Sequence, residues 1–380
     1  MESRTLSILP TSIDTQRAYY TIQGSFKYLT KKIRLADFSI VNGEHKPVYF
    51  DARGVYSLIK SISFLDRQGQ IIDSMYNTDY MAIKMIHQNN PAQRDINRIL
   101  FQNAGLAVEV PSLGQLKLAE QMGKQDATKI GCYIDLSFMS NYLLARNVSV
   151  DFMNIQIEFQ ENGYTFTKPP TLFVDEVLTG EPVDAQDIIL YDQIVPDKLP
   201  IRNVVLDGVG SGAIDQRMNS YTNQLVSNLY LYYLRNSATG APQNDGFTKA
   251  HAGMKYNLII DGKVVLPFGG LDTDARRLAH MTDMTGDFIL PGASAYNHDK
   301  LTDTIELGLY NPNLNKKYAG THSFSCIGLN QVIVGELTIQ ASSGFDGGAD
   351  HIQFLQALAE VKRFYQRSTG SVGNYAPGSL

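Results

Sequence analysis

The chain has 380 residues, room for two domains at roughly 150 residues each, and its 43% apolar and 19% charged content excludes long disordered tracts. With 33 Lys+Arg against 38 Asp+Glu the net charge is −5, so no basic excess points to nucleic-acid binding. Two cysteines cannot build a disulfide framework, and the uncharged stretches 218–234 and 318–335 are too interrupted by polar residues to suggest a transmembrane helix.

The N-terminal MESRTLSILPTSIDTQ has no apolar core of a secretory signal. Residues 1–18 hold only Leu6, Ile8, Leu9 and Ile13 as apolar anchors, too few for a core, and residues 1–19 read as an N-terminal arm. The basic run FKYLTKKIR (26–34) follows. Its ordinary reading is a solvated strand edge guarded by lysines, and the sharper one a surface that meets an anionic partner. Segments 30–41 and 57–65 read as strands. In SLIKSISFLDRQGQIID (57–73) a strand, a Gly turn and a strand precede a helix predicted over 74–88, with Tyr76, Tyr80, Ile83 and His87 on one stripe. A further helix is expected at 91–101, opened by Pro91.

Alternation is cleanest at 129–136 and 153–159, where Met153, Ile155, Ile157 and Phe159 share one face of a half-buried strand. Pro, Gly and acids in 179–187 and 195–200 suggest a connector. Strands are then expected at 225–234, 256–267, 304–310 and 333–341, with a helix over 272–284. The Asp261-Gly262 pair marks a hairpin turn, since both central positions of such a turn need positive φ. MKYNLIIDGKVVLPF (254–268) and its helix therefore repeat the strand–turn–strand–helix order of 57–88. The composition agrees with β structure: 21 Tyr, 17 Phe and 31 Gly favour twisted, tightly turning sheets. The organisation read from this is an arm (1–19), a first β unit (20–190) and a second with a C-terminal tail (195–380).

Catalytic chemistry is sought and not found. The seven histidines show no metal-ligand spacing, and Cys132 and Cys326 fall on apolar strand faces far apart. Ser57 and Lys60 match SxxK, but on a strand odd and even positions face opposite ways. DGVGSG (207–212) reads as a turn rather than a phosphate cradle, and the Asp272–Asp287 acids lack EF-hand spacing. No catalytic residue, metal or cofactor is assigned.

GVYSLIKSISFLDRQGQIIDSMYNTDYMAIKMI (54–86) resembles the first sandwich of the double jelly-roll major capsid proteins of tailless icosahedral DNA viruses. FLQALAEVKRFYQRSTGSVGNYA (354–376) resembles that family's closing strand and tail. Periodicity leaves 354–365 ambiguous, because Phe354, Leu358, Val361 and Tyr365 also fit a helix; the resemblance tips it to strand. It implies an all-β fold of two tandem eight-stranded jelly-roll sandwiches with short inserted helices. It also implies a homotrimer of pseudo-hexagonal outline that tiles an icosahedral virion. The partners would be further copies of itself, penton or minor capsid proteins and an internal membrane surface, with no sequence-specific nucleic acid. The chain ends would lie toward the shell interior. There Leu6, Ile8 and Leu9 would dock on a neighbour, while Lys27, Lys31, Lys32 and Arg34 face an anionic interior. The alternative is a virion spike or carbohydrate- or receptor-binding jelly roll, for which the tyrosines of NLYLYYL (228–234) would be the candidates. A bicupin-like enzyme would need clustered histidines that the chain lacks.

Overall fold

Alternating apolar residues become antiparallel strands almost wherever the sequence repeats with period two. The structure is a computed structural model. It describes residues 2–14, 16–22, 27–42, 56, 58–81, 131–145, 148–149, 152–160, 164–179, 187–200, 202–206, 209–235, 255–265, 324–335, 337–346 and 352–375. One unit comprises Met1–Met85, Asp95–Gln193 and Arg363–Tyr375, the other Ile86–Arg94, Ile194–Lys362 and Ala376–Leu380.

In the first unit β1 (Glu2–Ile8), β4 (Tyr28–Leu29), β5 (Arg34–Asn42), β8 (Gly131–Asp135), β9 (Val148–Ser149), β11 (Tyr164–Lys168) and β12 (Thr171–Thr179) form a seven-stranded sheet. A second sheet takes β2 (Ser12–Ile13), β3 (Arg17–Thr21), β6 (Ile59–Asp66), β7 (Ile71–Met75) and β10 (Phe152–Phe159) in the order β2-β3-β10-β6-β7. Tyr20, Ile62, Phe64, Ile155 and Ile157 of this sheet are fully buried, as are Leu35, Ile134, Leu172 and Val174 of the other. Burial of each such side chain is worth about 1.5–3 kcal/mol. Two contacts among the described residues illustrate how the sheets meet. The Tyr20 hydroxyl donates to the Pro170 carbonyl at 2.8 Å, and the rings of Phe159 and Phe166 meet edge-on at 4.8 Å.

The later strands are β13 (Ile188–Pro200), β14 (Arg202–Leu206), β15 (Val209–Arg217), β16 (Leu225–Arg235), β17 (Lys255–Ile260), β18 (Lys263–Val264), β19 (Phe324–Val332), β20 (Leu337–Asp346), β21 (Ile352–Gln366) and β22 (Ser371–Asn374). Their sheets repeat the earlier order. β14-β15-β20-β17-β18 matches β2-β3-β10-β6-β7, and β13-β21-β16-β19 matches β1-β12-β5-β8. The second unit's core gathers Met218, Tyr221, Val226, Leu229, Leu258, Ile333, Leu337, Ile339 and Val361. The duplication anticipated from hairpin order thus extends to nine strands.

Both anticipated hairpin turns form. Asp261 and Gly262 take φ of +50° and +75°. In the first unit Gly69 takes +82°, while Asp66 Oδ1 accepts from the Gln68 and Gln70 amides at 2.9 and 2.8 Å. Other elements shift. Ser74 and Met75 belong to β7, where they pair with Ser63 and Ile62, so the expected 74–88 helix starts later, at Tyr80–Met81. Tyr76 is 54% exposed and Tyr80 2%, so they do not share a buried stripe. A 3-10 turn at Thr30–Lys32 interrupts the expected strand 30–41. Residues 195–200 belong to β13, a strand in which the division between the units falls at Gln193–Ile194, and Arg363–Tyr375 join the first unit although the sequence division grouped them with the second. The helices at 91–101 and 272–284 and the strand at 304–310 lie outside the described residues. β21 resolves the helix-or-strand ambiguity. It lies between β13 and β16, and Gln356, Ala357, Leu358 and Ala359 are all buried, so apolar residues occupy both faces and erase the period of two.

Candidate assembly surfaces

The N-terminal segment is held as a strand by its own chain. β1 runs antiparallel to β12, with Leu6 opposite Val174 and Ile8 opposite Leu172. Leu6 and Ile8 are half-buried and Leu9, beyond the strand end, is 70% exposed. Residues 2–8 are therefore an edge strand of the first unit and not an arm detached from it.

Two carboxylates of β12 explain the basic run. The Asp175 and Glu176 side chains are only 7% and 3% exposed, a desolvation that demands compensating cations. Arg4 Nε lies 2.5 Å from Glu176 Oε2. Lys32 Nζ and Arg34 Nη2 lie 3.5 and 3.2 Å from the Asp175 oxygens, and the Thr5 hydroxyl donates to Asp175 at 2.8 Å. Burial and the Glu176 carboxylate push the Tyr28 phenol above its ordinary range, against the pull of Arg4. Of the four cations singled out in sequence, Lys32 and Arg34 are thus committed to Asp175. Lys27 and Lys31 are exposed, and their side chains form no ion pair among the described residues. Asp175 and Glu176 escaped the sequence reading because acids in an alternating strand look solvated; their counterions are about 140 or more residues away in the chain.

A second constellation closes the first unit. Tyr142, on the one-turn helix Asn141–Leu144, meets Tyr191 of β13 and Tyr365 of β21 edge-on at 5.4 and 5.8 Å. The Tyr191 hydroxyl donates to the Ile72 carbonyl, and burial drives its phenol far above the ordinary range. Asp73 accepts from the Ser140 hydroxyl at 2.6 Å and from the Tyr142 amide at 3.2 Å. Arg363 Nε donates to Gln193 Oε1 at 3.0 Å. The turn after β21 is clipped by Asp187, which accepts from the Ser368 amide and hydroxyl, each at 2.8 Å, and from Gln366 at 3.2 Å. The Ser368 hydroxyl, foremost, holds the Asp187 carboxyl below its usual range. Only the scatter of tyrosines could have hinted at this cluster, because its members are brought together from three parts of the chain.

All seven histidines, the acids at 272–287 and the turn Asp207-Gly208 lie outside the described residues. Cys132 and Cys326 sit in β8 and β19. Among the described residues no group of three His, Cys, Asp or Glu is placed to hold a metal ion, and no helix is long and apolar enough to cross a membrane.

No family model matches the chain, and no curated protein matches it significantly. Solved structures do. The Sputnik virophage structure determined by cryo-EM aligns over 100% of this chain and 89% of its own, with a TM-score of 0.62 at 8% identity. The mavirus major capsid protein aligns over 98% and 90%, with a TM-score of 0.56 at 9% identity. The PBCV-1 virus capsid aligns over 99% and 97%, with a TM-score of 0.53 at 10% identity. At such identities the likeness establishes the fold, a double jelly roll spanning the whole chain.

Proposed function

We propose that this chain is the major capsid protein of an icosahedral virus and that its function is self-assembly into the virion shell. The observation that carries this is the end-to-end match of both units, in order, to the mavirus major capsid protein and the PBCV-1 capsid. A chance jelly roll would account for one unit, not for two in tandem over 98% and 99% of the chain. The chain works without a cofactor, as a homotrimer in which two sandwiches per subunit give a six-cornered tile. Its neighbours are other trimers and penton or minor capsid proteins, and exposed Lys27 and Lys31 suit an anionic internal membrane surface. A spike or receptor-binding role would favour exposed aromatics. Tyr76 is the one aromatic among the exposed large hydrophobic residues described, and Tyr230 of the NLYLYYL strand is 4% exposed and donates to Glu360.

The test is light scattering and electron microscopy of the purified protein. A species of three times 42.2 kDa that forms closed shells supports the reading. A monomer at micromolar concentration that never forms particles overturns it.

A further inference from the structure

β1 and β13 are topological counterparts. Each lies at the outer edge of a sheet, beside β12 and β21 respectively, and among the described residues neither has a second strand beside it. An edge strand offers unpaired N–H and C=O groups and is normally blunted by proline, lysine, short length or irregularity. β13 carries Pro196, Lys198 and Pro200. β2, β9 and β18 are two residues long, and β19 is broken by Gly328 and the left-handed Asn330. β1 has no proline and no lysine, and its irregularity against β12, between Glu2 and Ser3, lies at its first residue and leaves Ser3–Ile8 in regular register. It runs seven residues, Glu-Ser-Arg-Thr-Leu-Ser-Ile, with Glu2, Ser3, Arg4, Thr5 and Ser7 exposed, and its one cation is turned onto Glu176.

We propose that the open edge of β1 pairs with β1 of a second copy, antiparallel and centred on Thr5. This rests on the shell reading and names one contact within it. The strand is complementary to itself in that register. Ser3 falls opposite Ser7 and Thr5 opposite Thr5, hydroxyl pairs that cross-strand packing favours. Arg4 falls opposite Leu6 and Glu2 opposite Ile8, so no like charges meet directly. The two Arg4 side chains lie on a diagonal, each neutralised by its own Glu176. Leu6 and Ile8, half-buried against their own sheet, are covered further. Seven residues a side bury far less than the ~1,200 Å² of a stable standard interface. One such contact is weak, and only a lattice that repeats it makes it persist.

The experiment mixes chains carrying Ser3→Cys with chains carrying Ser7→Cys, assembles particles under mild oxidation and maps the interchain disulfides. The expected result is Ser3–Ser7 cross-links in particles, with few Ser3–Ser3 cross-links, because directly opposite residues alone come within disulfide reach. A second variant, Ser3→Lys with Ser7→Lys, places lysines opposite one another. It should raise the concentration needed for assembly about tenfold, the equivalent of ~1.4 kcal/mol, and leave the melting temperature of the unassembled protein unchanged. Normal particles that lack the Ser3–Ser7 cross-link, or that show Ser3–Ser3 equally, overturn the pairing and leave the shell reading standing. No particles from the unmodified chain overturns both.

Discussion

The two units share one strand order and part ways after the seventh strand of the pattern. The second unit returns from β19 to β20 through residues 333–336, and Ile333 caps its core with the backbone bond Asn223 N–H to Ile333 C=O. The first unit spends residues 136–151 on the same return. It builds there a 3-10 turn, a one-turn helix and the small strand β9. The longer route buries Ser140, Tyr142 and Leu143, and Tyr142 finds ring partners on β13 and on the end of β21. Extra length therefore makes the first unit dependent on the last residues of the chain, whereas the described core of the second draws on residues 218–361.

The largest effect follows from cutting that dependence. A chain ending at Lys362 loses Tyr365, Arg363 and β22, and the first unit should lose cooperative folding while amides of β16, β20 and β17 stay protected. Hydrogen exchange by mass spectrometry reads this directly; equal loss of protection in both units would break the comparison. Next, Tyr142→Ala should destabilise the first unit by about 3–5 kcal/mol, the usual range for deleting a buried aromatic ring. Tyr142→Phe keeps both edge-on contacts and should recover most of it in thermal melts.

The hairpin turns should respond alike, which sharpens the comparison. Gly69 and Gly262 both have positive φ, and an added Cβ at either meets nothing within 4 Å. Gly69→Ala and Gly262→Ala should therefore each cost about 1–2 kcal/mol by backbone strain alone. A clearly larger loss at one would reveal packing that the other lacks.

The smallest effect is electrostatic. Asp187 is held ionised below its ordinary pKa of 3.8 by Ser368 and Gln366. Its contribution is present above that value and is lost as pH falls through the depressed folded value. Burial pushes Asp135 the other way. Protonation relieves its cost, so it favours folding below 3.8 and loses that advantage as pH rises through its raised value. Ser368→Ala removes the hydroxyl bond but keeps the Ser368 amide and Gln366 bonds, so it should weaken the first dependence and leave the second, as read by the loosening of residues 367–374 while pH falls below 3.8. Acid sensitivity unchanged in that variant would remove Asp187 as the clip.

Much of the all-β fold was legible because period-two alternation survives wherever one sheet face is buried, as in β10 with Ile155 and Ile157 inside and Gln156 exposed. The Asp261-Gly262 turn was legible because its φ values exclude most other pairs. β21 was not, since burial on both faces removes the alternation, and resemblance rather than pattern identified it as strand. Strand β1 was missed because Leu6 and Ile8 look too sparse for a core; they need only cover Val174 and Leu172, whose own neighbours supply the rest.

The sequence by itself determined local backbone preference and the repeated order of hairpins, because these depend on residues a few positions apart. Tertiary structure alone decided where the charges and the chain end belong. Arg4 and Glu176 are 172 residues apart, and Asp187 and Ser368 are 181 apart, yet each pair is within hydrogen-bond distance. No periodicity in the sequence encodes such meetings, for they are set by which strands lie side by side in the sheet.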